Sequence, residues 1–66
     1  MQIRDFTRPE ADYLQAVCNF TKEENTLFEL RLSDISLEEC AERMNMSLPN
    51  VKRISQRVNA KISREN

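Results

Sequence analysis

Apolar residues recur along this chain at intervals of three and four, and no segment alternates with period two over the length of a strand. The pattern predicts an all-α fold of four helices, each opened by a hydroxyl residue. In "TRPE", Thr7 and Glu10 have the spacing of a reciprocal cap, and Pro9 is acceptable in a first turn. A first helix over 9–19 then places Ala11, Leu14, Val17 and Cys18 on one side. "TKEE" repeats the cap with Thr21 and Glu24. The second helix carries Leu27, Phe28, Leu30 and Leu32, has its acids early, where the helix dipole favours them, and ends near Ser33-Asp34. "SLEE" offers a third cap, Ser36 with Glu39, and "SLPN" starts the fourth helix with Ser47 as N-cap and Pro49 in the first turn.

The last two helices are almost back to back. In the third, Leu37, Cys40, Ala41 and Met44 follow helical spacing; in the fourth, Val51, Ile54, Val58 and Ile62 form one stripe. Only Asn45-Met46-Ser47 separates them. Asn45 stands where the chain must leave the helix in left-handed geometry, and asparagine is the non-glycine residue best suited to that. Met46 then fills the corner. Two helices joined by so short a turn cross steeply, and small Ala41 lets the second approach the first. The expectation is a helix-turn-helix over about 36–62, with the first two helices completing its core. One domain, residues 1–66, accommodates all of it.

Charge sharpens this picture. The net charge is −1, but it is unevenly spread. Residues 1–50 hold five basic side chains against ten carboxylates, whereas residues 51–66 hold Lys52, Arg53, Arg57, Lys61 and Arg64 against Glu65 alone. An acidic body carries a basic last helix, the pattern expected for a local phosphate contact. At 100° per residue the apolar stripe of that helix leaves Pro49, Arg53, Gln56 and Ala60 facing outward, with Lys52 and Arg57 on the flanks. On a helix laid in the major groove, outward residues near its start meet base edges. Arg53 suits the two acceptors of guanine and Gln56 suits adenine. Lys52, Arg57, Lys61 and the short Asn50 suit phosphates.

Composition narrows the alternatives. There is no histidine, tryptophan or glycine, and there are two cysteines. That combination speaks against a structural zinc site and against a disulfide framework, and it reads Cys18 and Cys40 as small apolar fillers. No nucleophile–base pair, metal cluster or phosphate loop stands out, so neither an enzyme nor a cofactor is expected. No apolar run is long enough to span a membrane. Met1 leads into the charged "MQIRDF", unlike a secretory signal, so the cytoplasm is the expected compartment.

The stretch "FTKEENTLFELRLSDISLEECAERMNMSLPNVKRISQRVNAKI" resembles region 4 of bacterial sigma factors and the related LuxR-type output domains. Their shared pattern runs L-T-x-x-E-x-x-V-L, a helix break, then L-S-x-x-E-I-A-x-x-L-G-I-S-x-x-x-V-K. Phe20, Thr21, Glu24, Leu27, Phe28, Ile35, Ser36, Glu39, Cys40, Ala41, Met44, Met46, Ser47, Val51 and Lys52 occupy the matching places without a gap. Asp34 and Asn45 stand where the families carry glycine. Leu48 and Pro49 stand where sigma factors often place arginine and a base-contacting glutamate, so their promoter preference does not transfer. LuxR-type domains add a dimerising helix after the recognition helix; this chain instead has a helix in front, as sigma region 4 does.

The resemblance implies a sequence-specific DNA-binding transcription regulator or sigma-like factor. It further implies RNA polymerase as partner, docked through residues 9–33 onto the flap of the large β subunit. On that view Tyr13, Leu14, Val17, Leu27, Phe28 and Leu32 exceed the needs of a small core, and Glu23, Glu24 and Glu29 form a polar rim. A homodimer is the alternative source of extra specificity. The alternative function is a protein–protein interaction module built on the same fold, which the acidic body and the Leu48-Pro49 front would also serve.

Overall fold

A computed structural model describes residues 3–65. A 3-10 turn, Ile3–Asp5, precedes four α-helices: α1 (Arg8–Val17), α2 (Lys22–Leu32), α3 (Leu37–Met44) and α4 (Leu48–Arg64). No strand occurs among the described residues.

The starts of the helices follow from their caps. Thr7 accepts the Glu10 N–H, and the Glu10 carboxylate accepts the Thr7 N–H at 2.8 Å. Thr21 and Glu24 repeat this, at 3.2 and 2.9 Å. Each box satisfies two N–H groups that the helix itself leaves orphaned. Ser36 and Ser47 accept the Glu39 and Asn50 N–H groups. The third box is only half built, because the Glu39 carboxylate turns to Arg43, one helical turn on, at 3.4 Å. An i,i+4 ion pair competes here with the return bond to the cap.

The ends follow from two left-handed residues. Asp34 (φ 63°) closes α2: its N–H reaches Arg31 O at 3.0 Å, and the Ile35 N–H reaches Leu30 O at 3.1 Å. Asn45 (φ 56°, ψ 47°) closes α3 in the same way, with its own N–H to Glu42 O and the Met46 N–H to Ala41 O at 3.0 Å. This paired arrangement is the Schellman motif, which occupies the last carbonyls of a helix. A third left-handed residue, Asn19 (φ 54°), was not anticipated; it follows the cap residue Cys18 and stops α1 earlier than the expected 19. Asn45→Gly is expected to be neutral or to stabilise by up to about 1 kcal/mol, and Asn45→Val to destabilise, since a β-branched side chain resists this geometry. Equal urea midpoints for the two variants would contradict that.

The core gathers Ala11, Leu14 and Cys18 of the α1 segment, Leu27 and Phe28 of α2, Cys40 and Ala41 of α3, and the whole α4 stripe. Helix α2 lies at its centre, packed on α4, on α3 and on the N-terminal turn. That turn adds Ile3, buried, and Phe6, whose ring stacks on Phe28 with centroids 6.5 Å apart. Phe20 meets the same ring at 5.2 Å. Leu14, Leu27 and Phe28 are therefore interior, and among the described residues only Tyr13 and Val17 remain as exposed large apolar residues. The surplus expected over 9–33 is largely consumed by α4 and by the N-terminal turn. The two cysteines are free and buried, and burial pushes both thiols above their ordinary pKa, so they act as inert fillers.

Candidate nucleic-acid interface

Helix α4 is built from its buried side outward. Val51, Val58 and Ile62 are fully buried and Ile54 nearly so, which fixes the rotation of the helix on α2 and α3. The opposite face then has to meet solvent. Pro49, Asn50, Lys52, Arg53, Gln56 and Arg57 are all exposed. These six expected contact residues share one continuous outer surface over the first ten residues of α4.

Lys61 stands apart from them. Its ammonium reaches back under the body to the Glu24 carboxylate at 2.5 Å and to Asn19 O at 3.3 Å. Glu24 is the buried charged residue of the core, 4% exposed, and not part of a polar rim. Burial raises its pKa, but the Lys61 ammonium and the Thr21 N–H outweigh that and leave it below the ordinary carboxyl value. The Lys61 ammonium, expected at a phosphate, is in this structure committed to an internal ion pair formed across a sequence distance that no local pattern reports.

Ion pairing divides the remaining cations in two. On the body, Arg4 pairs with Asp34, Arg8 with Asp12 and Glu29, and Arg43 with Glu39. Arg31 donates to Ile35 O at 2.6 Å. The Glu29 carboxylate, bonded by Arg8 and Gln15, is held below its usual pKa, so it too is committed internally. On α4, by contrast, Lys52, Arg53, Arg57 and Arg64 make no ion pair and no side-chain hydrogen bond among the described residues. Lys22, at the start of α2, is in the same condition among the described residues.

Arg64 adds to the expected set. It lies eleven residues after Arg53, within about 20° of it around the helix, so Arg53, Arg57 and Arg64 run as a stripe down one flank. That spacing was present in the sequence and could have been read there. Glu23 is the other unanticipated neighbour. It lines, with Met46, Asn50, Arg53, Ile54 and Arg57, an open groove of about 210 Å³ between α2 and α4.

The outer face of α4 is a row of guanidinium and ammonium groups interleaved with carboxamides. It can donate hydrogen bonds and positive charge to an anionic ligand. No group of three metal-ligating side chains occurs among the described residues. No helix among them is long and apolar enough to cross a membrane. No protein-family model matches the chain, and neither a curated protein nor a solved structure gives a match.

Proposed function

We propose that the chain is a sequence-specific DNA-binding domain of helix-turn-helix type, similar to sigma region 4, in which α3 and α4 form the unit and α4 enters the major groove. The observation that carries this reading is the partition of charge: among the described residues, three of the five body cations are ion-paired and a fourth, Arg31, is bonded to a backbone carbonyl, while α4 keeps four free on its solvent side. Surface solubility alone gives no reason for that partition. The left-handed Asn45 between two short-linked helices supports the helix-turn-helix assignment. Arg53 and Gln56 are the base-reading residues, Lys52 and Arg64 hold phosphates, and Asn50 and Arg57 line the groove beside Arg53.

One such unit reads few base pairs, so useful specificity draws on a second contact. The sigma-like resemblance makes RNA polymerase that contact, in the cytoplasm, with the flap docking surface reduced to Tyr13, Val17 and half-buried Leu32. A homodimer on a repeated site is the other arrangement. An interaction module without DNA binding remains the second reading. It is favoured by a groove of about 340 Å³ lined by Phe6, Pro9, Glu10, Tyr13, Leu14 and Glu65, an apolar slot with acidic edges on the side of α1.

Fluorescence anisotropy on random duplex DNA at low salt separates the readings. Contacts to about three to five phosphates predict a log–log salt slope of roughly −3 to −4.5. Lys52→Ala is expected to weaken all sequences alike, and Arg53→Ala to relax sequence preference. A slope near zero, or no binding, leaves the interaction module as the better account.

A further inference from the structure

The groove between α2 and α4 holds a carboxylate where a DNA-binding face has most reason to avoid one. Asn50, Arg53 and Arg57 form one wall, Glu23 of α2 the other, with Met46 and buried Ile54 between them. Glu23 is exposed, and it forms no ion pair with either arginine within 4.0 Å. It therefore leaves both guanidinium groups free, yet it sits on the rim of the space that any anion bound to them would enter. Helix α4 itself carries no acidic residue, so the carboxylate that faces Arg53 and Arg57 in this groove comes from α2.

We propose that Glu23 is a specificity-determining residue of this face, which repels backbone phosphate from the groove and so reserves Arg53 and Arg57 for base edges. The proposal rests on the DNA-binding reading of α4. A phosphate seated against the two arginines would lie within a Debye length, about 8–10 Å, of the carboxylate and be repelled by it. A base edge carries no net charge and suffers no such penalty. A cytosine amino group would even find an acceptor there. The carboxylate thus lowers sequence-independent affinity more than specific affinity, and the ratio of the two rises.

The test uses the full chain and two duplexes: a random one, and a site enriched from a random library with the wild-type protein. Glu23→Gln is expected to tighten binding to the random duplex by roughly three- to tenfold at low salt, as one repulsion at groove distance allows. The gain on the enriched site is expected to be smaller, and the salt slope on random DNA to steepen by up to about 0.9. Glu23→Asp, which keeps the charge, is expected to behave as wild type. Glu23 also lies in the first turn of α2, where a carboxylate favours the helix dipole. A purely structural role there would lower the melting temperature of Glu23→Gln without tightening DNA binding. Unchanged random-duplex affinity, or equal gains on both duplexes, overturns the proposal. A double variant, Arg53→Ala with Arg57→Ala, tells the two failures apart. If it loses binding while Glu23→Gln matches wild type, only the role of Glu23 falls. If wild type does not bind, or the double variant binds as well as wild type, the DNA-binding reading falls and takes the proposal with it.

Discussion

Phe28→Ala is expected to destabilise the fold by about 3–5 kcal/mol. The Phe28 side chain is fully buried at the middle of α2, and two other rings, Phe6 and Phe20, close on it from different segments. Truncating a buried phenylalanine costs about 3–5 kcal/mol, the lost transfer energy plus the cavity left behind. A chain of this length is held together by only about 3–10 kcal/mol. The substitution thus removes between a third and all of that margin. It also takes from the N-terminal turn and from the α1–α2 corner the surface against which they pack. Urea unfolding followed by circular dichroism gives the measurement. A loss under about 1 kcal/mol would show that the three rings do not form the centre of the core. Phe28→Leu, which keeps most of the volume, is expected to cost less than half as much.

The helix starts were legible because a cap is a local device. Thr7, Thr21, Ser36 and Ser47 each act on a residue three places on, and the sequence displays both partners. The same holds for Asp34 and Asn45, whose left-handed turns need only a tolerant side chain at a helix end. The buried stripe of α4 was legible from its period, and with it the outward set Pro49, Asn50, Lys52, Arg53, Gln56 and Arg57. Three features escaped, each for want of a local signal. The short turn Ile3–Asp5 has too few residues to show a period, so Ile3 and Phe6 read as a charged lead-in and not as core. Periodicity tells which side of α1 and α2 is apolar but not how much partner surface covers it. Leu14, Leu27 and Phe28 were accordingly counted among six residues in excess of a small core, some of them to stay partly exposed; these three lie inside, and Tyr13 and Val17 are exposed. Glu24 and Lys61 are 37 residues apart, and each had a plausible solvent-facing use.

Lys61→Met is expected to destabilise the fold by about 2–4 kcal/mol, a little under the ~3–5 kcal/mol typical of breaking a fully buried pair, because the lysine side chain keeps some contact with water. Its side chain is 22% exposed against 5% for Glu24. Removing the ammonium strands a buried carboxylate beside the Thr21 cap, and it also frees Asn19 O at the α1–α2 corner. Adding Glu24→Gln relieves the stranded charge, so the double variant is expected to be more stable than Lys61→Met alone, a coupling that a double-mutant cycle reads directly. Acid has a related effect. With its folded pKa below the unfolded value of about 4.3, Glu24 contributes stability that is complete above that value and is lost as pH falls through the folded pKa. Lys61→Met lacks the ammonium that holds this pKa down, so its stability is expected to fall less steeply over the same range. On the DNA-binding reading proposed above, the pair also gives Lys61 a testable role. A phosphate-binding lysine on the surface would lose affinity and salt slope on substitution while the melting temperature stayed put. The internal pair predicts the reverse: a lower urea midpoint, with DNA affinity unchanged once conditions keep the variant folded. Glu24 and Lys61 hold the last turns of α4 against the start of α2, and on the DNA-binding reading proposed above any effect of either residue on affinity is expected to act through that packing.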